Sequence, residues 1–152
     1  MTELSGEYEV AIDAKGRFLL PAPLRKQFPE GEGDKFFINR GFNNCLNIYP
    51  EKAWKQNLSK INELDEFDEE SMKFKRLVLN GSPVELDNAD RLLLPKRLQE
   101  KVNIVKDAII IGLGNKMEIW DATTYYNFID DNMPDLGKIA KSVMAKKKEN
   151  QV

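Results

Sequence analysis

The sequence contains no histidine and a single cysteine, Cys45, among its 152 residues. Without imidazole, the protein lacks the commonest metal ligand and every catalytic triad or general base built on histidine. One cysteine can form neither an intramolecular disulfide nor a CxxC pair for zinc binding or redox chemistry. We therefore expect no metal site, no cofactor and no catalytic residue of the common hydrolase classes.

Long apolar runs and a strong excess of one charge are also missing. No window approaches the length of about eighteen apolar residues that a membrane span needs, and the N-terminus lacks the features of a secretory signal. We expect a cytoplasmic protein without a membrane partner. The net charge of −2 gives no global basic field, but charge is segregated. An acidic run, ELDEFDEE, occupies residues 63–70, where solvated carboxylates on a helix are the simplest interpretation, and the C-terminal end is rich in lysine.

An internal repeat is the dominant feature of what is present. Residues 12–28 read IDAKGRFLLPAPLRKQF and residues 86–102 read LDNADRLLLPKRLQEKV, and the offset from Asp13 to Asp87 is 74 positions. The pattern in each half predicts a strand, a turn, a short strand, a short helix, and then two strands around a turn. The proline after each short strand suits the first turn of a helix, which we expect to carry Leu24 and Phe28 in one half and Leu98 and Val102 in the other.

Helical patterns follow each half. Residues 51–79 are predicted to be helical, with apolar residues at spacings of three and four, and a last helix is predicted from Ala122, with an interruption around Met133, Pro134 and Gly137. We expect the basic end to be mobile or to dock on another subunit. The predicted organisation is a half-repeat at 6–52, a helical linker at 53–79, a second half-repeat at 80–124, and a C-terminal helix with a basic tail at 125–152.

The repeated element that carries candidate chemistry is the frame Asp-x-x-x-Arg, which occurs as Asp13 with Arg17 and as Asp87 with Arg91. An aspartate at the start of a turn accepts hydrogen bonds from backbone N–H groups two or more residues on. Gly16 suits a positive φ before the chain re-enters a strand. The carboxylate then holds the arginine in one orientation at the tip of a hairpin.

In a single copy of this frame, the contact between aspartate and arginine would most simply stabilise the hairpin. Two equivalent copies favour a pair of readers, because the planar guanidinium matches guanine O6 and N7 or phosphate oxygens. Lys15 adds a charge suited to phosphate. The second loop differs, since Asp90 replaces glycine; aspartate tolerates a positive φ, but its charge opposes attraction to phosphate.

These segments together resemble the MraZ family of bacterial transcriptional regulators. The resemblance rests on GEYEVAIDAKGRFLLPAPLR, FFINRGFNNCLNIYP, FKRLVLNGSPVELDNADRLLLP and AIIIGLGNKMEIWD, and it extends from about Gly6 to Ile129. It implies an α+β, mostly β fold: an internally duplicated, AbrB-like swapped-hairpin β-barrel with linking and C-terminal helices. The sequence departs from the family pattern at Asp90, where glycine is usual, and at Gln99, where an arginine is usual. Arg97 is a candidate to compensate for these changes in charge.

The resemblance also implies a function. Family members form closed rings and bind short direct repeats of double-stranded DNA in the promoter of their own division and cell-wall operon, so we expect a nucleoid-associated repressor that assembles with itself and has no small-molecule substrate. Transferred onto this sequence, the DNA-binding residues are Lys15, Arg17, Arg91 and Arg25, and the orienting residues are Asp13 and Asp87. The unequal loops lead us to expect that Arg17 contributes more than Arg91.

Two other interpretations remain open at this level. The repeat could serve only ring assembly, as in a structural scaffold whose arginines contact neighbouring subunits. An enzyme that used Asp13 with Lys15 for acid–base work is the other, although no pocket motif supports it. Trp54, Trp120, Tyr125 and Tyr126 are expected to be core or subunit contacts more than stacking platforms for bases, and Cys45 is expected to be a small buried apolar residue.

Overall fold

The computed structural model describes residues 2–150 and has the mixed α+β composition that the sequence predicts. Within these residues, eight strands form one six-stranded sheet and one two-stranded sheet, and every strand pair is antiparallel. The chain divides after Ala122 into two compact units.

Each half of the repeat folds in the predicted order of elements. The first half contains β1 (Leu4–Ala11), β2 (Arg17–Leu19), α1 (Ala22–Arg25), β3 (Lys35–Arg40) and β4 (Leu46–Pro50). The second half contains β5 (Gly81–Glu85), β6 (Arg91–Leu93), α4 (Lys96–Lys101), β7 (Asp107–Gly114) and β8 (Met117–Asp121). The internal duplication seen in the sequence is therefore a duplication of structure.

The two halves exchange their first strands. The six-stranded sheet has the order β1-β7-β8-β4-β3-β5, so β1 pairs with β7 of the second half and β5 pairs with β3 of the first. The central pair joins β4 to β8, with Leu46 opposite Ile119. The hydrogen-bonded order runs from β1 to β5 and does not itself close the predicted barrel. The second sheet is a ribbon of β2 and β6, which again takes one strand from each half.

The core lies among these strands and collects apolar side chains from both halves. Phe18 of β2 and Leu92 of β6, which face each other across the ribbon, are buried in it. The β3–β4 and β7–β8 hairpins contribute Ile38, Leu46, Ile48, Ile110, Met117 and Ile119, and the turns and short helices add Leu20, Leu24, Leu94 and Leu98. Because both halves share one core, neither half is expected to fold alone.

The first short helix is shorter than predicted. It ends at Arg25, so Phe28 lies beyond it. Pro29 follows Phe28, and a residue before proline is disfavoured in the α region, which explains the early end. Phe28 still contacts the core through an edge-on contact with Phe36, with ring centroids 5.8 Å apart. In the second half α4 ends at Lys101, followed by Val102 as the capping residue and by Asn103 at φ 58°.

The predicted helical linker consists of two helices separated by a turn. Helix α2 covers Glu51–Ile61 and α3 covers Glu69–Val78, so Leu64 lies in the turn between them. Asp68 caps α3 by accepting a hydrogen bond from the backbone N–H of Ser71 at 3.0 Å. The hydrogen bond from the Ser71 hydroxyl, with the bond from the Ser71 backbone N–H as the smaller cause, holds the pKa of the Asp68 carboxyl below its ordinary value. The acidic run thus forms the turn before α3, the cap and the first residues of that helix, and its carboxylates are exposed.

The second unit is helical. Helix α5 (Ala122–Asn132) is followed by a short 3-10 helix (Met133–Asp135) and by α6 (Leu136–Asn150). The interruption at Pro134 is confirmed, but Gly137 lies inside α6. The basic end forms part of this helix up to Asn150, because lysine, alanine and methionine are good helix formers; residues 151 and 152 of the predicted tail lie outside the described residues. In the part of the chain described, no helix is both long and apolar enough to cross a membrane.

Candidate nucleic-acid interface

The turn between β1 and β2 is built around the Asp13 side chain. Its Oδ1 accepts hydrogen bonds from the backbone N–H groups of Lys15 and Arg17, both at 2.9 Å, and its Oδ2 accepts one from Arg17 Nε at 2.9 Å. The backbone adds two more bonds, from Asp13 N–H to the Arg17 carbonyl and from Gly16 N–H to the Asp13 carbonyl. The predicted contact between aspartate and arginine is therefore formed, and it orients the guanidinium.

The turn between β5 and β6 repeats this arrangement at Asp87. Its Oδ1 accepts from the backbone N–H groups of Ala89 and Arg91, and its Oδ2 accepts from Arg91 Nε, each at 2.9 Å. The Asp87 N–H donates to the Arg91 carbonyl at 2.9 Å. The two motifs have the same geometry although three of their five residues differ.

Both turns need a residue in the left-handed region at the position before the arginine. Gly16 has φ 88° and Asp90 has φ 61°. The Gly16 site is also crowded, since a Cβ there would lie 3.1 Å from Gln99 Oε1 and 3.3 Å from the Leu94 carbonyl. The expectation that aspartate would tolerate this conformation in the second turn is confirmed.

The β2–β6 ribbon holds the two turns side by side. Arg17 lies opposite Leu93, Phe18 opposite Leu92, and Leu19 opposite Arg91. Two further backbone bonds extend the ribbon at its ends, from Leu20 N–H to the Asp90 carbonyl at 3.0 Å and from Leu94 N–H to the Gly16 carbonyl at 2.8 Å. Diagonal neighbours across an antiparallel pair are about 7–8 Å apart, which sets the spacing between the Arg17 and Arg91 backbones.

The arginines lie on the outer face of the ribbon. Phe18 and Leu92 point to the core, so by the alternation of strands the residues on either side of each point outwards. Each arginine uses Nε for its aspartate, and among residues 2–150 neither Arg17 nor Arg91 makes a hydrogen bond or ion pair through its Nη groups. Two guanidinium forks are thus oriented and available on one surface.

The hydrogen bonds that the Asp13 and Asp87 carboxylates accept lower the pKa of each carboxyl below its ordinary value. The hydrogen bond from the Arg17 N–H is the main cause that lowers the pKa of Asp13, with help from Arg17 Nε and the Lys15 N–H, and these outweigh the opposing effect of desolvation. The Arg91 N–H does the same for the pKa of Asp87. Both orienting groups therefore remain acceptors through the neutral range.

Arg25 is tied to the second motif by an ion pair between the halves. Its Nη1 lies 3.2 Å from Asp90 Oδ2, and its Nε donates to the Leu20 carbonyl at 3.0 Å. The equivalent pair across the approximate two-fold axis is Gln99 beside Gly16. Asp90 and Gln99, the two positions at which the resemblance implied a departure from the family pattern, therefore lie in equivalent contacts. Sequence reasoning missed this pairing, although the repeat alignment sets Arg25 against Gln99 and Gly16 against Asp90.

The other basic residues that the sequence singled out, Lys15 and Arg97, are both exposed. Lys15 is exposed at the tip of the first turn, and its backbone N–H bonds Asp13. Arg97 is exposed on α4, and it has no ion-pair partner within the described residues. Arg17, Arg91 and Arg25 thus lie together around the ribbon, whereas Lys15 extends from one end of it.

The comparisons with known proteins agree with this duplicated architecture. A family described as "MraZ protein, putative antitoxin-like" matches the chain twice, over residues 4–77 and 77–143. The chain belongs to this family. A relative from Cytophaga hutchinsonii called "Transcriptional regulator MraZ" is 36% identical over 146 residues, which cover 95% of this chain and 97% of the relative.

Relatives from other bacteria give the same result. Proteins called "Transcriptional regulator MraZ" are 36% identical in Flavobacterium psychrophilum, over 95% of this chain and 93% of the relative, and 35% identical in Natranaerobius thermophilus, over 91% and 95%. The resemblance stated from the motifs is thereby confirmed, and each of these relatives carries the name of a transcriptional regulator. That class of protein is not a class of enzyme.

A second polar cluster, on the β4–β8 side of the sheet, was not predicted. Asn39 and Asn47 are both buried; Asn47 Nδ2 donates to Asn39 Oδ1 at 3.1 Å, and Lys116 Nζ donates to Asn47 Oδ1 at 2.8 Å. Asn39 Nδ2 donates to the Val78 carbonyl at 2.7 Å, which fixes the end of α3 to the sheet. Buried amides in a hydrogen-bonded chain stabilise one arrangement of the strands. No group of His, Cys, Asp and Glu that could hold a metal ion occurs within residues 2–150.

Proposed function

We propose that this chain binds double-stranded DNA sequence-specifically through the outer face of the β2–β6 ribbon. The observation that carries the proposal is the pair of Asp-held arginines, Arg17 and Arg91, which share one surface and whose Nη groups make no hydrogen bond within residues 2–150. A two-stranded ribbon fits the major groove, and an arginine fork donates to guanine O6 and N7 there. Asp13 and Asp87 orient the readers and do not touch the DNA.

The two half-repeats, 6–52 and 80–124, then act as one reading unit. Lys15 is placed to contact phosphate beside the first turn, and Arg25 contributes positive charge that it shares with Asp90. Base contacts confer specificity, whereas phosphate contacts confer affinity that depends on salt. Arg17 has the larger role because no acidic side chain replaces glycine in its own turn.

The regulatory context comes from the family resemblance. We propose that the target is a set of direct repeats in the promoter of the chain's own division and cell-wall operon, that binding represses transcription, and that the protein acts as a nucleoid-associated homo-oligomeric ring around a barrel-like core. A ring supports the proposal at a net charge of −2, because several ribbons engaged at once gain from effective concentration.

The test is fluorescence anisotropy with labelled duplex from upstream of the protein's own gene, against a scrambled duplex, at two salt concentrations. We expect Arg17→Ala to lose most of the preference for the upstream duplex, and Lys15→Ala to weaken both duplexes alike and to reduce the salt slope by roughly one. Size-exclusion chromatography should show an unchanged oligomer for both variants.

Two results would contradict the proposal. Equal losses of specificity from Lys15→Ala and Arg17→Ala would argue against base reading by the arginine. If the intact wild-type oligomer shows no preference for the upstream duplex, the scaffold interpretation is favoured, in which the arginines serve subunit contacts.

A further inference from the structure

Two exposed leucines share the outer face of the ribbon with the arginines. Leu19 is 55% exposed and Leu93 is 50% exposed, whereas Phe18 and Leu92 between them are 1% and 0% exposed. Single exposed leucines are common and need no explanation. Here, however, the same residue type is exposed at equivalent positions of both halves, and both copies lie beside the candidate readers.

The register gives each leucine a fixed neighbour. Leu93 lies directly opposite Arg17, and Leu19 lies directly opposite Arg91. Residues opposite each other on one face have Cβ atoms about 4.5–5.5 Å apart, and successive base pairs rise by about 3.4 Å. An apolar side chain at this distance from a base-reading guanidinium therefore reaches one of the next one or two base pairs.

The outer face thus consists of two equivalent arginine–leucine pairs, related by the approximate two-fold axis through Phe18 and Leu92. Only one group exposed on base edges in the major groove is apolar, namely the 5-methyl group of thymine. A leucine on a surface that enters this groove would desolvate polar base edges at a cost, but it gains from contact with a methyl group.

We propose that Leu19 and Leu93 recognise thymine by contact with its 5-methyl group, in base pairs next to those read by Arg91 and Arg17. This inference rests on the proposed function of the ribbon and specifies its substrate: duplex sites in which thymine accompanies the bases read by arginine. It also assigns a role in specificity to residues that are neither charged nor able to form side-chain hydrogen bonds.

The test replaces thymine by deoxyuridine, which lacks only the methyl group, one position at a time in the upstream duplex. We expect one or more of these substitutions to weaken wild-type binding by about fourfold each, the effect of one buried methyl-sized group. Leu19→Ala should bind the thymine and deoxyuridine duplexes equally at one set of positions, and Leu93→Ala at the set related by the approximate two-fold axis.

Leu113→Ala is the matched control. Leu113 is also exposed, at 44%, but it pairs with Ser5 at the end of β1 remote from Asp13. This variant should remain sensitive to deoxyuridine in the same way as wild type. Circular dichroism and size-exclusion chromatography of all three variants check that fold and assembly are retained.

The outcomes separate this inference from the function on which it rests. Wild type could prefer the upstream duplex over the scrambled one but bind every deoxyuridine duplex as tightly as its thymine parent. In that case the proposed thymine contact is wrong, whereas base reading by the arginines is not contradicted. If deoxyuridine weakens binding but both leucine variants stay equally sensitive, another residue makes the contact and the assignment to leucine is wrong. Absence of any preference for the upstream duplex contradicts the proposed function itself. The deoxyuridine measurement on wild type needs no variant to fold.

Discussion

At the scale of the residue, the aspartate of each motif has two tasks, which its hydrogen bonds define. Asp13 and Asp87 each accept two backbone hydrogen bonds and one guanidinium hydrogen bond. One side chain thus shapes the turn and aims the arginine. An arginine aimed in advance loses less rotamer freedom when it binds than a free one does.

Asp13→Ala separates this orienting role from simple electrostatics. The substitution removes a negative charge near the proposed DNA surface, so electrostatics alone predicts tighter binding. The present account predicts that affinity for the upstream duplex falls by about tenfold, because Arg17 is no longer oriented. Binding to scrambled DNA should stay constant or rise, which anisotropy on both duplexes measures. A rise in affinity for both duplexes would contradict the orienting role.

Asp90 is the residue that makes the two turns unequal. Glycine at this position would keep the positive φ, remove a carboxylate beside Arg91, and release Arg25 from its ion pair at 3.2 Å. Asp90→Gly is therefore expected to raise affinity for DNA by about two- to fivefold at low salt, with a smaller gain at high salt. It should also reduce the excess cost of Arg17→Ala over Arg91→Ala.

Glu66→Gln is the control for this change in charge. Glu66 is exposed in the acidic turn between α2 and α3, and its substitution removes one negative charge from a different part of the surface. A gain in affinity as large as that of Asp90→Gly would show that overall charge, and not the local carboxylate, is responsible.

At the scale of the element, the ribbon of β2 and β6 is short but strongly connected. Its three residue pairs are extended by backbone bonds to the Gly16 and Asp90 carbonyls, and its inner face is anchored by Phe18 and Leu92. A two-stranded ribbon alone is only marginally stable in water, so this attachment to the core gives the arginines a rigid base.

Gly16→Ala tests the rigidity of the first turn. The new Cβ would face φ 88° and contacts of 3.1 Å with Gln99 Oε1 and 3.3 Å with the Leu94 carbonyl. We expect a loss in free energy of unfolding of more than about 1 kcal/mol, measured by urea titration, and a loss of specific DNA binding. Gly31→Ala provides the comparison, since φ is 82° there but no atom lies within 4 Å of the new Cβ.

The two glycine variants distinguish backbone strain from steric crowding. Gly31→Ala should destabilise the fold less than Gly16→Ala, and it should leave DNA binding unchanged because it lies in the turn before β3 and outside the ribbon. If both variants had the same effect on DNA binding, the first turn would have no special role.

At the scale of the whole molecule, much of the fold could be predicted because it is repeated. Two copies of one pattern identified the strands, the short helices and the positive φ before each arginine. Phe28 was misplaced on a helix because the effect of Pro29 on the preceding residue was overlooked. Leu64 was misplaced because the three- and four-residue spacing continues through the turn between α2 and α3, after which Asp68 caps α3.

The sequence predicted the local contacts within each motif but not the contacts that join the two halves. The contacts of Asp13 with Arg17 and of Asp87 with Arg91 are local, so their spacing in sequence indicated them. The ion pair of Arg25 with Asp90 and the pairing of Leu19 with Arg91 join residues from different halves. Such contacts depend on strand exchange between the halves, which the pattern of residues alone does not determine and only the resemblance to the family implied.

The reactivity of the Cys45 thiol tests whether the shared core is intact. Its thiol is fully buried, and burial, with a contribution from the Glu118 carboxylate, raises its pKa to about 12. The thiol therefore stays protonated at pH 8, where an ordinary thiol is partly ionised. We expect a thiol-specific colour reagent to label the native protein at least about a hundredfold more slowly than the unfolded protein. Fast labelling of the native protein would contradict the burial of Cys45 just before β4.

The central claim is that paired, oriented arginine forks read bases from the ribbon, and conversion of Arg17 and Arg91 to lysine in the same chain tests it most directly. Lysine keeps the charge but loses the planar fork. Anisotropy on upstream and scrambled duplexes should show that the double variant retains salt-dependent binding to both, while the preference for the upstream duplex falls by about a hundredfold. If the double lysine variant, with its oligomer unchanged, kept the wild-type preference, the arginines would act only as positive charges and the account would be wrong.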